Sequence, residues 1–97
     1  MPKAYWITCY RSVTDPARLA EYGRLAGPAI EAGGGRFLAR GVAAKAYEAG
    51  LAQRTVVIEF DSFDKAVTTY QSHAYQAALQ LLDGVAERDV RIVEGVS

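Results

Sequence analysis

The stretch Gly33-Gly34-Gly35-Arg36-Phe37-Leu38-Ala39-Arg40-Gly41 fixes how the rest of the chain is read. Ahead of it, Leu19, Tyr22, Ala26 and Ile30 recur at helical spacing behind Asp15-Pro16. Asp at an N-cap accepts bonds from orphan N–H groups, and Pro at the first helical position gives up nothing. Arg18, Glu21, Arg24 and Glu31 fall on the solvated side of that helix. Pro28 lies inside the pattern and predicts a kink or a new turn. The glycines supply the left-handed backbone on which helices stop. A short strand, 36–41, follows, and its period of two places Arg36, Leu38 and Arg40 on one face.

Working outward, residues 3–10 read as a strand rich in aromatic and β-branched side chains. Residues 42–53 are ambiguous: 43–48 suits a strand continuing past Gly41, and Ala49-Gly50 suits a turn. Residues 54–61 make the clearest strand. Asp61 or Ser62 caps a helix with apolar Phe63, Ala66, Val67 and Tyr70, and Ser72 looks like a second cap ahead of Tyr75, Ala78, Leu79, Leu82 and Val85. Residues 88–94 form the last strand. The order strand, helix, strand, strand, helix, strand is the split βαβ of ferredoxin-like α+β folds. It predicts a single domain over 1–97, a four-stranded antiparallel sheet with both helices on one face.

Composition limits the function classes. Eleven basic and eleven acidic side chains cancel, without any run of Lys or Arg, so no nucleic-acid footprint is expected. No apolar segment approaches membrane-spanning length, and the N-terminal residues lack a signal-peptide pattern. The single cysteine, Cys9, excludes an intrachain disulfide and fits a reducing cytoplasm. One histidine, without a second His or Cys near it, predicts no metal site, and no cofactor is expected. The glycines at 33–35 follow a helix, whereas phosphate cradles precede one.

Splitting the strands by parity gives one continuously apolar set: Tyr5, Ile7 and Cys9, then Phe37 and Ala39, then Val56, Ile58 and Phe60, then Val90 and Ile92. This set is assigned to the helix-facing core. The other set mixes Trp6, Thr8 and Tyr10 with Arg36, Leu38 and Arg40, then Thr55, Val57 and Glu59, then Arg91 and Val93. Contiguous apolar surface of that kind marks an interaction site, and a second copy of the sheet is the simplest cover. The alternative is an ordinary solvated sheet face carrying a few apolar residues.

Gly34 to Gly41, Val56-Val57-Ile58-Glu59-Phe60 and Ser72-His73-Ala74-Tyr75-Gln76 resemble the bacterial domain of unknown function 1330 family, and Asp15-Pro16, Tyr22 and Val93-Glu94-Gly95 agree. The resemblance covers nearly the whole chain. It implies a ferredoxin-like subunit of the dimeric α/β-barrel type, whose neighbours include cofactor-free monooxygenases, haem-degrading enzymes and muconolactone isomerase-like proteins. Fold analogy alone does not assign a reaction. The chain departs from the family at residues 49–53, where a Trp and a Pro are common, at His73, where a Pro is common, and at Leu82, where an Arg is common.

The expected ligand site is a polar pocket between sheet and dimer partner, formed by Trp6, Tyr10, Arg36, Arg40 and Glu59. Arginines there suit a carboxylate or phenolate, and the aromatic rings suit stacking. Against this, Arg36 and Glu59 suit a simple ion pair, and Trp6 and Tyr10 suit interface filling. His73 is the single histidine and the one candidate general base, although a first-turn histidine is ordinarily just solvated. Three readings follow: a homodimeric small-ligand-binding protein, a cofactor-free monooxygenase or isomerase acting on an aromatic or enolisable substrate, and a non-enzymatic assembly or stress-related module. Whether the protein is an enzyme stays open at this level.

Overall fold

The computed structural model describes residues 2–96. Strand β1 (Ala4–Val13) leads into helix α1 (Pro16–Ala32), then β2 (Arg36–Val42) and β3 (Arg54–Phe60). Helices α2 (Phe63–Gln71) and α3 (His73–Leu79) and a 3-10 turn, Gln80–Leu82, precede β4 (Ala86–Glu94). Asp15 caps α1, its carboxylate accepting from the backbone N–H of Ala17 at 3.1 Å and of Arg18 at 3.2 Å. Ser62 and Ser72 cap α2 and α3 in the same way, accepting from Lys65 and Tyr75. Ser72 is thus where the second helical segment breaks in two.

The glycine run divides its work. Gly33 ends α1 with ordinary helical dihedrals, and Gly34 alone takes the left-handed conformation, φ 96°. Gly35 is needed for space: a Cβ there would stand 2.6 Å from Ile30 Cγ2 and 2.8 Å from Phe60 Cζ. The expected break at Pro28 does not occur, and α1 runs unbroken through it. Gly27, immediately before the proline, has no Cβ to collide with the ring, which removes part of the usual conflict. Between β2 and β3 the chain is irregular: Ala43 N–H still bonds the Gln53 carbonyl at 2.9 Å, and a turn at Tyr47–Gly50 closes the loop.

All strand pairs are antiparallel, in the order β2-β3-β1-β4. The register corrects the face assignment of β1. Trp6 stands opposite both Ile58 and Ile92, so Ala4, Trp6, Thr8 and Tyr10 share the helix-facing side with Val56 and Phe60. Tyr5, Ile7 and Cys9 lie on the open side, and Cys9 is exposed. Both parities of β1 carry apolar residues, so alternation could not decide its phase. Ring packing does: Trp6 is 1% exposed and meets Tyr75 edge-on at 4.9 Å, Tyr70 at 5.3 Å and Phe60 at 6.2 Å. Only the side covered by helices can bury an indole this completely.

A second correction concerns β2. Arg36 is opposite Glu59 and Phe37 opposite Ile58, but the next partners are Ala39 and Val57. Leu38 is the extra residue of a β-bulge, and one inserted residue exchanges the faces of everything beyond it. Arg36 therefore stays on the open face, while Arg40, opposite Val56, turns toward the helices and Ala39 turns away.

Three cross-strand rows make up the open face. Arg36, Glu59, Tyr5 and Val93 form the first, Ala39, Val57, Ile7 and Arg91 the second, and Thr55, Cys9 and Asp89 the third with Gly41. Arg36 donates to Glu59 at 3.0 Å and to Asp61 at 2.9 Å, and Lys3 reaches Glu59 at 3.4 Å. Arg91 grips Asp89 through two bonds of 3.0 Å. The face is thus apolar along Ile7 and Val57, with ion pairs at both ends.

The tight site at Gly35 gives a direct test of packing. Gly35→Ala should lower the free energy of unfolding by about 1–3 kcal/mol, since Ile30 and Phe60 must both move. Urea unfolding measures it, and an unchanged midpoint would show that the helix-to-strand corner is looser than its geometry indicates.

Candidate functional site

A cavity lies between α1 and the helix-facing side of the sheet. Its floor is Trp6, Thr8 and Tyr10 of β1 with Val56 and Ile58 of β3. Leu19, Tyr22, Gly23, Ala26 and Gly27 of α1 form the roof, and Phe37, Arg40, Arg54 and Arg88 stand around the side. Its volume is about 50 Å³. At the mouth, Arg40 and Arg54 meet Leu19, Gly23 and Arg24.

The roof is bare by composition. A Cβ placed on Gly23 or Gly27 would meet no atom within 4 Å, in contrast to Gly35. Glycine inside a helix costs about 0.5–1 kcal/mol relative to alanine. Gly27 has a backbone reason in Pro28, but nothing in the packing of the chain accounts for Gly23. Both line the cavity, Gly23 exposed at its mouth and Gly27 half-buried further in.

Polar groups around the cavity are mostly donors. Arg88 donates to Tyr22 Oη and to Tyr75 Oη, each at 3.2 Å, and those two phenols are 2.7 Å apart. The guanidinium also lies 5.4 Å from the centre of the Tyr22 ring and 5.5 Å from that of Tyr10, so ring faces stand in for a counter-ion. With Arg88 donating to both phenols, only one phenol hydrogen is used between them. Trp6 Nε1 donates to Thr8 Oγ1 at 2.9 Å, which leaves the Thr8 hydroxyl hydrogen for another acceptor. Arg40 stacks over Phe37 at 4.2 Å. Arg54 Nε is buried and has no hydrogen-bond partner among the described residues. Burial raises the pKa of Tyr22 and Tyr75, and the proximity of the two phenols raises that of Tyr22 further.

Of the residues expected from sequence to bind a ligand, Trp6, Tyr10 and Arg40 come together around this cavity. Arg36 and Glu59 are on the opposite face, bonded to each other, and the Arg36 guanidinium holds Glu59 below the usual carboxylate range. His73 is the exposed first residue of α3 and is outside the lining. Leu82 is in the core and Leu51 is exposed on the β2–β3 loop, so neither faces the cavity. Arg54 and Arg88 also line the cavity, and the sequence carries a signal for them. Each shares its strand's parity with the apolar set, Val56 and Ile58 in one case and Val90 and Ile92 in the other. An arginine in phase with a core face is anomalous unless the core has a cavity beside it. No group of three or more His, Cys, Asp or Glu residues is clustered for a metal ion among the described residues.

The phenol pair makes stability fall at high pH. A folded-state pKa raised above the unfolded value means the native state holds its proton longer, so the contribution is full below about pH 10 and is lost as pH rises beyond it. Tyr22→Phe should flatten that alkaline loss. Chemical denaturation between neutral and strongly alkaline pH measures it, and an identical slope in both proteins would contradict the buried pairing.

The same architecture recurs in solved structures of low sequence identity. A protein of unknown function from Rhodopseudomonas palustris, RPA0582, superposes with a TM-score of 0.72 at 16% identity, over 99% of this chain and 84% of that one. A dimeric ferredoxin-like protein of unknown function from Thermobifida fusca gives 0.70 at 17% identity, over 97% and 92%. SnoaB, a cofactor-independent oxygenase from Streptomyces nogalater, gives 0.64 at 9% identity, over 100% and 96%. These likenesses establish the fold. No curated protein matches the sequence. The family model described as domain of unknown function DUF1330 matches residues 3–96, and the chain belongs to that family.

Proposed function

We propose that this subunit binds a small organic ligand in the cavity between α1 and the sheet, and that it acts as a homodimer whose second copy covers the open sheet face. The carrying observation is the cavity itself: an aromatic floor lies under a stretch of α1 where Gly23 and Gly27 carry no side chain. This puts the ligand on the helix side of the sheet rather than between sheet and partner, because Trp6, Tyr10 and Arg40 all point that way. The dimer is supported by the apolar strip of Ile7 and Val57, by exposed Leu38 and Val93, and by dimeric proteins of the same fold. Cytoplasmic residence is part of the proposal, since an exposed lone Cys9 is best kept as a thiol in a reducing compartment. No helix among the described residues is long and apolar enough to cross a membrane.

A second reading, a cofactor-free monooxygenase or isomerase, is favoured by the aromatic floor of the cavity with hydroxyl and guanidinium donors around it. Such enzymes act on an activatable aromatic or enolisable substrate held away from water. Oxygen uptake with quinols that is lost on Arg40→Ala and kept on His73→Ala would support it; inactivity across a broad phenol and quinol panel would dismiss it.

Trp6 is the single tryptophan and forms the cavity floor, so its fluorescence reports on occupancy. Gly23→Ala should stabilise the empty protein by about 0.5–1 kcal/mol. Gly27→Leu should fill the cavity and abolish fluorescence changes caused by a bound small molecule. A Gly27→Leu protein that responds like the unaltered one would place binding elsewhere. For the assembly, light scattering at micromolar concentration should give twice the subunit mass, and Val57→Asp should halve it. A monomer in the unaltered protein would remove the dimer from the proposal.

A further inference from the structure

We propose that the ligand of this cavity is a small organic monoanion: a carboxylate on a flat apolar body of no more than one ring. The inference rests on the cavity being a binding site and adds the chemical class of what it binds.

Charge is the first argument. Arg40, Arg54 and Arg88 surround one small space, and no Asp or Glu lines either the cavity or its mouth. None of the three makes an ion pair among the described residues, whereas Arg11, Arg24, Arg36 and Arg91 all do. The chain as a whole is neutral, so this is a local arrangement and not a share of a generally basic surface. Arg40 is opposite Val56, and Arg54 is opposite Val42, which makes the two arginines diagonal neighbours on adjacent strands. Like charges at that spacing repel unless an anion stands between them.

Hydrogen bonding points the same way. The unpartnered Arg54 Nε, the Arg40 guanidinium, the spare Thr8 hydrogen and the spare phenol hydrogen are all donors. A ligand that completes them must supply acceptors. A carboxylate does so in the plane of a guanidinium fork, with two parallel bonds. Arg88 is already shared by two phenol oxygens and two ring faces, which leaves Arg40 and Arg54 at the mouth for one carboxylate. Deeper in, Trp6, Ala26, Ile30 and Ile58 offer only apolar surface, and about 50 Å³, smaller than the roughly 150 Å³ that holds a benzene, takes at most part of a single ring or a short chain, the rest lying toward the mouth. A phosphate or a dianion would leave that inner part unused.

Benzoate, 4-hydroxybenzoate and sorbate, with benzamide as the neutral match, test this at constant ionic strength by Trp6 fluorescence and calorimetry. Saturable binding of at least one acid is expected, with benzamide about tenfold or more weaker and each of Arg40→Gln and Arg54→Gln costing about tenfold or more. Arg36→Gln, on the opposite face, should change nothing. Equal binding of benzamide and benzoate, indifferent to both arginine variants but abolished by Gly27→Leu, overturns the anion and leaves the cavity as a binding site. No binding of any probe at millimolar concentration overturns the anion proposal. Binding that Gly27→Leu does not touch overturns both readings.

Discussion

The position of one indole ring organises this molecule. Trp6 is buried among Phe60, Tyr70 and Tyr75, and that packing fixes which side of β1 faces the helices. Because β1 is a central strand, paired to β3 on one side and β4 on the other, its phase is passed to both neighbours through the register. Ile58 and Ile92 follow Trp6 into the core, and Arg91, Val57 and Val93 follow Ile7 and Tyr5 outward. The same ring then serves as cavity floor, so the core and the candidate site are one structure viewed from two sides.

The bulge at Leu38 is the second constraint. Without it Arg36 and Arg40 would share a face. With it, one arginine is tied into an ion-pair network with Glu59 and Asp61, and the other is delivered to the cavity mouth beside Arg54. A single inserted residue thus separates a structural cation from one with no acidic partner among the described residues, in accord with the general habit of bulges to redirect side chains next to sites. It also ties the cavity to the proposed dimer face, since the strand that carries Arg40 inward carries Ala39 outward.

Much of the fold was legible in the sequence. Asp15-Pro16, Gly34, Ser62 and Ser72 announced the helix limits through their capping chemistry, and the alternation of Val56, Ile58 and Phe60 announced the central strand. The faces were less legible, for physical reasons. Tyr5, Ile7 and Cys9 are as apolar as Ala4, Trp6 and Tyr10, so period-two reading has no contrast to work with in β1. A bulge leaves no composition signal when the inserted residue is a leucine. The cavity itself depends on which face of α1 meets the sheet, and Gly23 and Gly27 declare their role only once that face is known. Filling the roof would strengthen the helix and close the space, so stability and the proposed binding pull apart here.

A crystal structure of the protein grown with benzoate distinguishes a ligand under α1 from one on the open face. Density is expected for the ring against Trp6 beneath Gly27, with its carboxylate between Arg40 and Arg54. Density confined to the open face, between Ile7 and Val57 of two subunits, with the space beneath α1 closed or holding water alone, would contradict a ligand site under α1.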